Sequence, residues 1–291
     1  VRIDLHSHTH LSDGTQSPTE LVHAAREAGL DVLALTDHDT FVGWDEAARA
    51  ATQVGLTLVR GVEISTILDG HGVHLLAYLP DPGHEGIRTG LEAVLRARND
   101  RLPTILERLA AVDVLITPED VAEVAGDTVA VGRPHVADAL VAAGVVAHRG
   151  EAFRRYLGPG GKAFVPRTAA DLWEMVAQVE EAGGVSVLAH PWGRGAEQVL
   201  DAAAFRRLKE HGLTGIEVDH EDHGARERAE LRAIAADLDL VVTGSSDHHG
   251  EGKIGHALGC NTTDPEQYAR LIAAAESAAL RAGRTTPAVI G

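Results

Sequence analysis

The stretch Asp4-Leu5-His6-Ser7-His8-Thr9-His10-Leu11-Ser12-Asp13-Gly14 packs imidazoles and carboxylates more densely than a core or a simple turn requires. His6 and His8 are two positions apart at the end of the alternating run Val1-Arg2-Ile3-Asp4-Leu5, so on a strand they point the same way, toward one ion. His10 continues the alternation, and Gly14 can take φ > 0 and turn the Asp13 carboxylate back toward the same pocket. Taken alone, a His-x-His pair reads equally well as a solvated polar loop. The pattern recurs, however, in Asp37-His38-Asp39, at Glu63 and His74, in His190-Pro191, and in Asp247-His248-His249. Collected, His6, His8, Asp13, His38, Glu63, His74, His190, Asp247 and His249 cannot share a pocket uncompensated, because buried charges must be paired or metal-bound. Nitrogen and oxygen ligands of this mix suit zinc, manganese or iron, and nine exceed the need of one ion, so two or three divalent ions are expected.

The elements that must position these residues alternate. Ser17-Pro18-Thr19-Glu20 reads as a capping box that opens a helix ending near Gly29. Residues 31–36 form a short apolar run without alternation, as in a parallel strand buried on both faces. A helix over 45–54 follows, then strands at 57–62, ending in Glu63, and at 73–79. From about residue 85 to 162 the pattern is helical, with no strand before 163–165, which suggests an insertion. Alternation then resumes with a helix over 169–182 and strands at 185–189, 216–218 and 240–243. Polar residues gathered at the end of nearly every strand predict a parallel α/β barrel with its site at the C-terminal face. An open doubly wound sheet is the alternative, and it fits less well because its ligands come from loops beside one switch point.

Composition narrows the chemistry further. The chain has 291 residues, 44% of them hydrophobic, enough for a full core. A formal charge of −17 argues against a long nucleic-acid surface. Within that acidic total, Arg133, Arg149, Arg154, Arg155, Lys162 and Arg167 face only Asp138 and Glu151, an island that suits a local anion. Exposed helix charges account for Arg154 and Arg155 about as well. The lone Cys260 leaves no internal disulfide and no thiolate zinc site, and reads as a core residue. No apolar run is long enough for a membrane helix, and no export signal precedes the first strand, so a cytoplasmic location is expected.

Asp4-Leu5-His6-Ser7-His8-Thr9, Ser12-Asp13-Gly14, Thr36-Asp37-His38-Asp39, Gly61-Val62-Glu63, Ala189-His190-Pro191 and Ser246-Asp247-His248-His249 resemble, in order, the motifs of the PHP (polymerase and histidinol phosphatase) family. The resemblance implies a distorted (β/α)7 TIM-like barrel with an inserted helical subdomain. Its parts are 1–99 and 166–291 for the barrel and 100–165 for the insertion. It also implies three metal sites: His6, His8, Glu63 and Asp247 in one; Asp13, His38 and His249 in a second; and a third with Glu63 bridging to His74 and His190. Asp13, His38, Glu63, Asp247 and His249 carry the catalysis in this reading. Asp13, where some branches have histidine, is associated with the nucleotide-phosphatase branch. His10, His220 and His248 match no ligand position.

The insertion, with Gly132-Arg133-Pro134-His135, Tyr156-Leu157-Gly158 and Lys162, is similar to the branch that removes phosphate from nucleoside 3′,5′-bisphosphates such as pAp and from 5′-nucleotides such as AMP. Arg133 offers a planar fork, Lys162 a point charge, and His135 a further donor, with His223 as the other phosphate contact. No Gly-x-Ser-x-Gly elbow or P-loop offers a different route, so attack by metal-bridging hydroxide is expected. The readings in competition are a 5′-3′ exoribonuclease on short RNA, a histidinol phosphate phosphatase, and a non-catalytic metal-binding module. The substrate is expected to be a nucleotide or short oligonucleotide, with no membrane partner.

Overall fold

The computed structural model describes residues 1–166, 169–193 and 195–291. Arg167 of the basic island lies outside the described residues. The chain begins with β1 (Ile3–Asp4), α1 (Pro18–Glu27), β2 (Val32–Leu35) and α2 (Trp44–Val54). Helix α1 starts where the capping box predicts: the Ser17 hydroxyl accepts from the Glu20 amide at 3.1 Å, and the Glu20 carboxylate accepts from the Ser17 amide at 2.8 Å. Strand β1 is shorter than the alternation at 1–5 suggests, because only Ile3 and Asp4 stay in register with Val32 and Leu33. Past Leu5 the chain keeps its β2 side through the Thr36 amide donating to the Ser7 carbonyl at 3.0 Å, and on its other side Ser7 forms a parallel bridge with His248.

Next come β3 (Thr57–Leu68) and β4 (His71–Tyr78), and here the parallel expectation fails. Strand β4 runs antiparallel to β3, with Gly61 opposite Tyr78 and Leu68 opposite His71. The cause is local. Asp69 and Gly70 both take positive φ, 48° and 80°, which makes a tight hairpin turn. A parallel return needs a crossover of about a dozen residues, and only two are present here. Strand β3 also runs five residues beyond Glu63, so this carboxylate projects from mid-strand rather than from a strand end.

Helices α3 (Glu85–Ala110), α4 (Pro118–Ala125), α5 (Arg133–Ala142) and α6 (Arg149–Ala152), with a π-helical turn at Phe153–Leu157, fill the span read as helical. Residues 163–165 form no strand; instead a short β5 (Ala170–Asp171) pairs with β3. Helix α3 belongs to two packing environments. Ile87 and Leu91 join the apolar cluster of the sheet, whereas Ile105, Leu106 and Leu109 pack with Val136, Leu140, Tyr156 and Leu157. Each such fully buried aliphatic side chain contributes about 1.5–3 kcal/mol.

The remaining elements are α7 (Leu172–Glu181), β6 (Val185–Ala189), α8 (Ala202–Glu210), β7 (Gly215–Asp219), α9 (Ala225–Asp237), β8 (Val241–Gly244) and α10 (Pro265–Ala282). Around the sheet the order is β1-β2-β3-β4-β6-β7-β8, with β4 antiparallel to β6 and the outer pairs parallel. The sheet is a nearly closed barrel, as the α/β barrel reading holds. Its first and last edges are brought together by the Ser7–His248 bridge, by the His8 amide donating to the His248 carbonyl at 2.8 Å, and by the Thr263 amide donating to the Ile3 carbonyl at 2.9 Å. Tyr78, fully buried, donates its hydroxyl to the Leu5 carbonyl at 2.8 Å and ties β4 to the first strand. Among the described residues no helix is long and apolar enough to cross a membrane.

Candidate metal centre

The nine residues singled out by type and spacing converge. Glu63 is the hub. Its Oε2 lies 3.3 Å from His6 Nε2, 3.2 Å from His8 Nε2 and 3.0 Å from His38 Nδ1. Its Oε1 lies 2.5 Å from His74 Nδ1 and 3.1 Å from His190 Nε2. On the far side of His6 and His8, Asp247 Oδ1 approaches their Nε2 atoms at 3.5 and 3.3 Å. Asp13 receives His249 Nε2 at 3.2 Å and His38 Nε2 at 3.7 Å. All nine are buried.

Backbone geometry places them. Ser7 donates its hydroxyl to the Ala34 carbonyl at 2.6 Å, fixing the loop between His6 and His8 on β2. The Glu63 amide donates to the Thr36 and Asp37 carbonyls at 3.1 and 3.2 Å, and the Asp39 amide returns a bond to the Glu63 carbonyl, so His38 is held beside β3. Gly61 permits this approach, since a Cβ there meets Thr36 Cγ2 at 2.9 Å. Asp39, His190 and Asp247 have positive φ without being glycines, at 57°, 28° and 51°. Such conformations cost about 1–3 kcal/mol each and persist where the surroundings over-determine them. The motif aspartates that touch no imidazole cluster are loop anchors. Asp37 accepts from the Thr9 amide and hydroxyl and the Ser12 hydroxyl at 2.6–2.7 Å, and Asp4 accepts from the Ser246 and Gly259 amides at 3.0 and 2.8 Å.

Burial alone raises the pKa of the Glu63 carboxyl, but His38, His74 and His6 around it hold it well below its usual range. The same contest leaves Asp13 low, with His249 and His38 outweighing burial, and Asp247 low beside Lys253 and His6. For His8, burial pushes the pKa down, yet Asp247 and Glu63 lift it to about 9. His38 goes the other way: burial dominates over Glu63 and Asp13, and its pKa falls to about 4. The carboxylates thus stay ionised, which is the state a cation needs.

The fit to metal ions rests on buried atoms that lack partners. His6 Nε2, His8 Nε2, His38 Nδ1 and Asp247 Oδ1 are buried without a hydrogen-bond partner, and all four point into the space around Glu63 Oε2. An orphaned buried polar atom costs about 1–3 kcal/mol, so four in one pocket call for a ligand. Three groups of mutually close donor atoms cover eight of the nine: His8, Asp13, His38 and His249; His6, His8, Glu63 and Asp247; and His38, Glu63 and His74. His190 enters through a further group with His6 and Glu217.

The residues expected to meet phosphate are more scattered. Arg133 is the first residue of α5, with its guanidinium 5.7 Å from the Phe153 and Phe164 ring centres, and donates to the Leu157 carbonyl at 3.1 Å. Lys162 is exposed. His135 is buried and accepts from the Gly132 amide at 3.1 Å through Nδ1. Burial lowers its pKa against the pull of Asp13. His223 uses both ring nitrogens on backbone, donating to the Val218 carbonyl at 2.9 Å and accepting from the Trp192 amide at 3.2 Å. Arg149, read as part of an anion island, is a clasp: it pairs in bidentate fashion with Asp138 at 2.5 and 2.6 Å and donates to the Asp13 carbonyl at 2.9 Å.

His248 is a structural residue, with Nδ1 donating to the His256 carbonyl at 2.8 Å and Nε2 against the Gln16 amide at 3.0 Å. His10 meets the Gln16 carbonyl at 3.3 Å, and His220 Nε2 donates to Asp247 Oδ2 at 3.2 Å. Sequence reasoning missed Glu217, Lys253, His256 and Arg98. Lys253 is paired with Asp247 Oδ2, His256 lies in a donor group with His220 and Asp247, and Arg98 pairs with the buried Asp39 at 2.6 Å. Glu217 had a signal: an acidic residue inside the apolar run Ile216-Glu217-Val218 of a buried strand.

The PHP domain model matches residues 4–111 of this chain. A 5′-3′ exoribonuclease of Haemophilus influenzae is 36% identical over 248 residues, covering 85% of this chain and 90% of that one. A 3′,5′-nucleoside bisphosphate phosphatase of Chromobacterium violaceum is 31% identical over 259 residues, with 89% and 91% covered. Among solved structures, a Bifidobacterium adolescentis protein assigned as a metal-dependent phosphoesterase superposes with a TM-score of 0.88 at 39% identity, over 94% of this chain and 96% of that one.

Proposed function

The chain belongs to the PHP family and is a metal-dependent hydrolase of phosphoric esters, and from that premise we propose that it removes phosphate from nucleoside 3′,5′-bisphosphates such as pAp and from 5′-nucleotides such as AMP. The observation that carries the reading is the set of four orphaned donor atoms facing Glu63 Oε2 at the centre of the nine-residue cluster. His6, His8, Glu63 and Asp247 would hold one ion, and Asp13, His38 and His249 a second, with Glu63, His74 and His190 available for a third. Manganese, iron and zinc all suit such donors. When bound, adjacent divalent ions polarise a phosphoryl oxygen, lower the pKa of water and neutralise charge in an in-line displacement.

The chain's own residues do the rest. Glu63 presents one carboxylate oxygen to each side of the cluster and stays ionised there. The hydroxyls of three motif serines are committed elsewhere: Ser7 donates to the Ala34 carbonyl, Ser12 to Asp37, and Ser245 to Glu217. The inserted subdomain, residues 100–165, supplies Arg133, His135 and Lys162 toward the second phosphate of a bisphosphate, and the clasp of Arg149 on Asp13 links it to the ligand loop. His223, expected as a further contact, has both ring nitrogens taken by backbone and offers phosphate no N–H.

A second reading, a 5′-3′ exoribonuclease acting on short RNA, draws on the Haemophilus influenzae relative. One experiment separates the two. Metal-loaded protein is offered pAp, AMP, a 5′-phosphorylated RNA tetramer and histidinol phosphate, with phosphate and mononucleotide release followed separately. Phosphate from pAp at the highest kcat/KM is the expected result. Mononucleotides from the tetramer with pAp untouched reverses the order of the two readings. No hydrolysis of any nucleotide by a protein carrying two or more ions per chain sinks both.

A further inference from the structure

Glu217 is a buried, well-connected carboxylate to which the proposed function gives no role. It projects from the middle of β7 with no solvent exposure. Its Oε1 receives His6 Nδ1 at 3.1 Å and the Ser245 hydroxyl, while its Oε2 receives the backbone amide of His190 at 2.8 Å. Thus one carboxylate touches two residues of the proposed centre, one after β1 and one after β6, and touches each on the side away from Glu63. His6 Nε2, across the same ring, is among the buried atoms without a partner. His190 is held at a φ of 28°, a conformation that needs an external constraint.

We propose that Glu217 is the positioning residue of the metal centre. By accepting the Nδ1 proton of His6 it fixes the tautomer whose Nε2 lone pair faces Glu63 and Asp247. By accepting the His190 amide it holds that residue in its left-handed conformation, with the imidazole turned to Glu63 Oε1. A carboxylate in this role orients the ring and raises the basicity of the ligating nitrogen, and its loss typically costs 10–100-fold in metal affinity. Ser245, just after β8, steadies the carboxylate, so three strand ends converge on a group that itself binds no ion. This inference rests on His6 and His190 being ligands.

Glu217→Gln keeps the shape and the acceptor oxygen for His190 but removes the charge and places an amide where Nδ1–H must be received. The variant is expected to bind zinc 10–100-fold more weakly, with the same number of ions at saturation and with an undiminished melting temperature in the metal-free form. In the zinc-loaded parent, the His6 Nδ1–H proton gives a hydrogen-bonded imide resonance that the variant lacks. Ser245→Ala, which only loosens the carboxylate, is expected to weaken zinc several-fold and serves if Glu217→Gln fails to fold. Unchanged zinc affinity in the variant overturns the proposal. So does a metal-free melting temperature that falls in step with affinity, which marks a merely structural carboxylate. Loss of one ion with the others still tight also overturns it, since Glu217 is then a ligand itself. A parent protein that binds no zinc at all refutes the metal-centre reading instead.

Discussion

His8 and His38 show how one pocket drives two imidazoles in opposite directions. Burial disfavours the charged form of both. His8, between Asp247 and Glu63, still rises to about 9, while for His38 burial wins and the value falls to about 4. The sign of the linkage follows. In metal-free protein at pH 7.5 His8 carries a proton that a ligating nitrogen must give up, and His38 carries none. Zinc uptake at pH 7.5 is therefore expected to release at least one proton per chain, and the release should shrink as pH rises through about 9. The raised pKa of His8 likewise contributes to metal-free stability below about 6.5 and loses that contribution as pH rises through about 9. Calorimetry in buffers of different ionisation enthalpy measures the proton count directly. A count of zero at pH 7.5 contradicts the assignment of His8 as a ligand.

At the scale of elements, the helical insertion and the barrel meet through polar clasps as well as apolar packing. Arg149 reaches from α6 to Asp138 on α5, to the Asp13 carbonyl and, at 3.4 Å, to the Gly252 carbonyl. Thr128 donates to the carbonyls of Leu11 and Ser12 on the same ligand loop. Arg149→Ala is expected to lower stability by about 1–3 kcal/mol, reduced by the partial exposure of Asp138, and to lower metal content by loosening Asp13. Arg149→Lys keeps the charge but not the fork and should recover only part of either loss. Denaturant titration with metal analysis reads both, and a variant with full metal content contradicts the clasp. The β3–β4 hairpin belongs to this scale too. Reversing one strand lets Glu63 and His74, only 11 positions apart, stand near each other on adjacent strands, a separation too short for a helix crossover.

For the whole molecule, bound ions would add to the stability. A ligand at about 100 times its Kd adds about 2.7 kcal/mol per site, and for a chain of this size each kcal/mol moves the melting temperature by roughly 2–4 °C. Chelation is expected to lower Tm by roughly 5–10 °C per ion removed, with recovery on adding back manganese or zinc. An unchanged Tm with and without chelator contradicts a centre that ties β1, β3, β6 and the segment after β8 together. The acidic total of −17 bears on the exoribonuclease reading, since a long anionic strand meets a repelling surface and only short oligonucleotides escape it.

Some of this was legible in the sequence because it is encoded locally. Ligand chemistry sits in residue type, and the His6-x-His8, Asp37-His38-Asp39 and Asp247-His248-His249 runs announce it. The Ser17–Glu20 box and the unalternating strand at 32–35 are likewise readable over a few residues. The Asp69-Gly70 turn was equally local, and it should have signalled the hairpin. Tertiary structure alone decided which polar groups became partners. Glu217 lies 211 positions from His6, Asp4 lies 242 from Ser246, and Arg149 lies 136 from Asp13. A hydrogen bond is set by distance and angle in space, within about 3.2 Å, and nothing in a residue's neighbours along the chain fixes either. Arg149 and Arg133 look alike in the sequence, therefore, and only the fold gave one a carboxylate and three segments to hold and the other two aromatic rings.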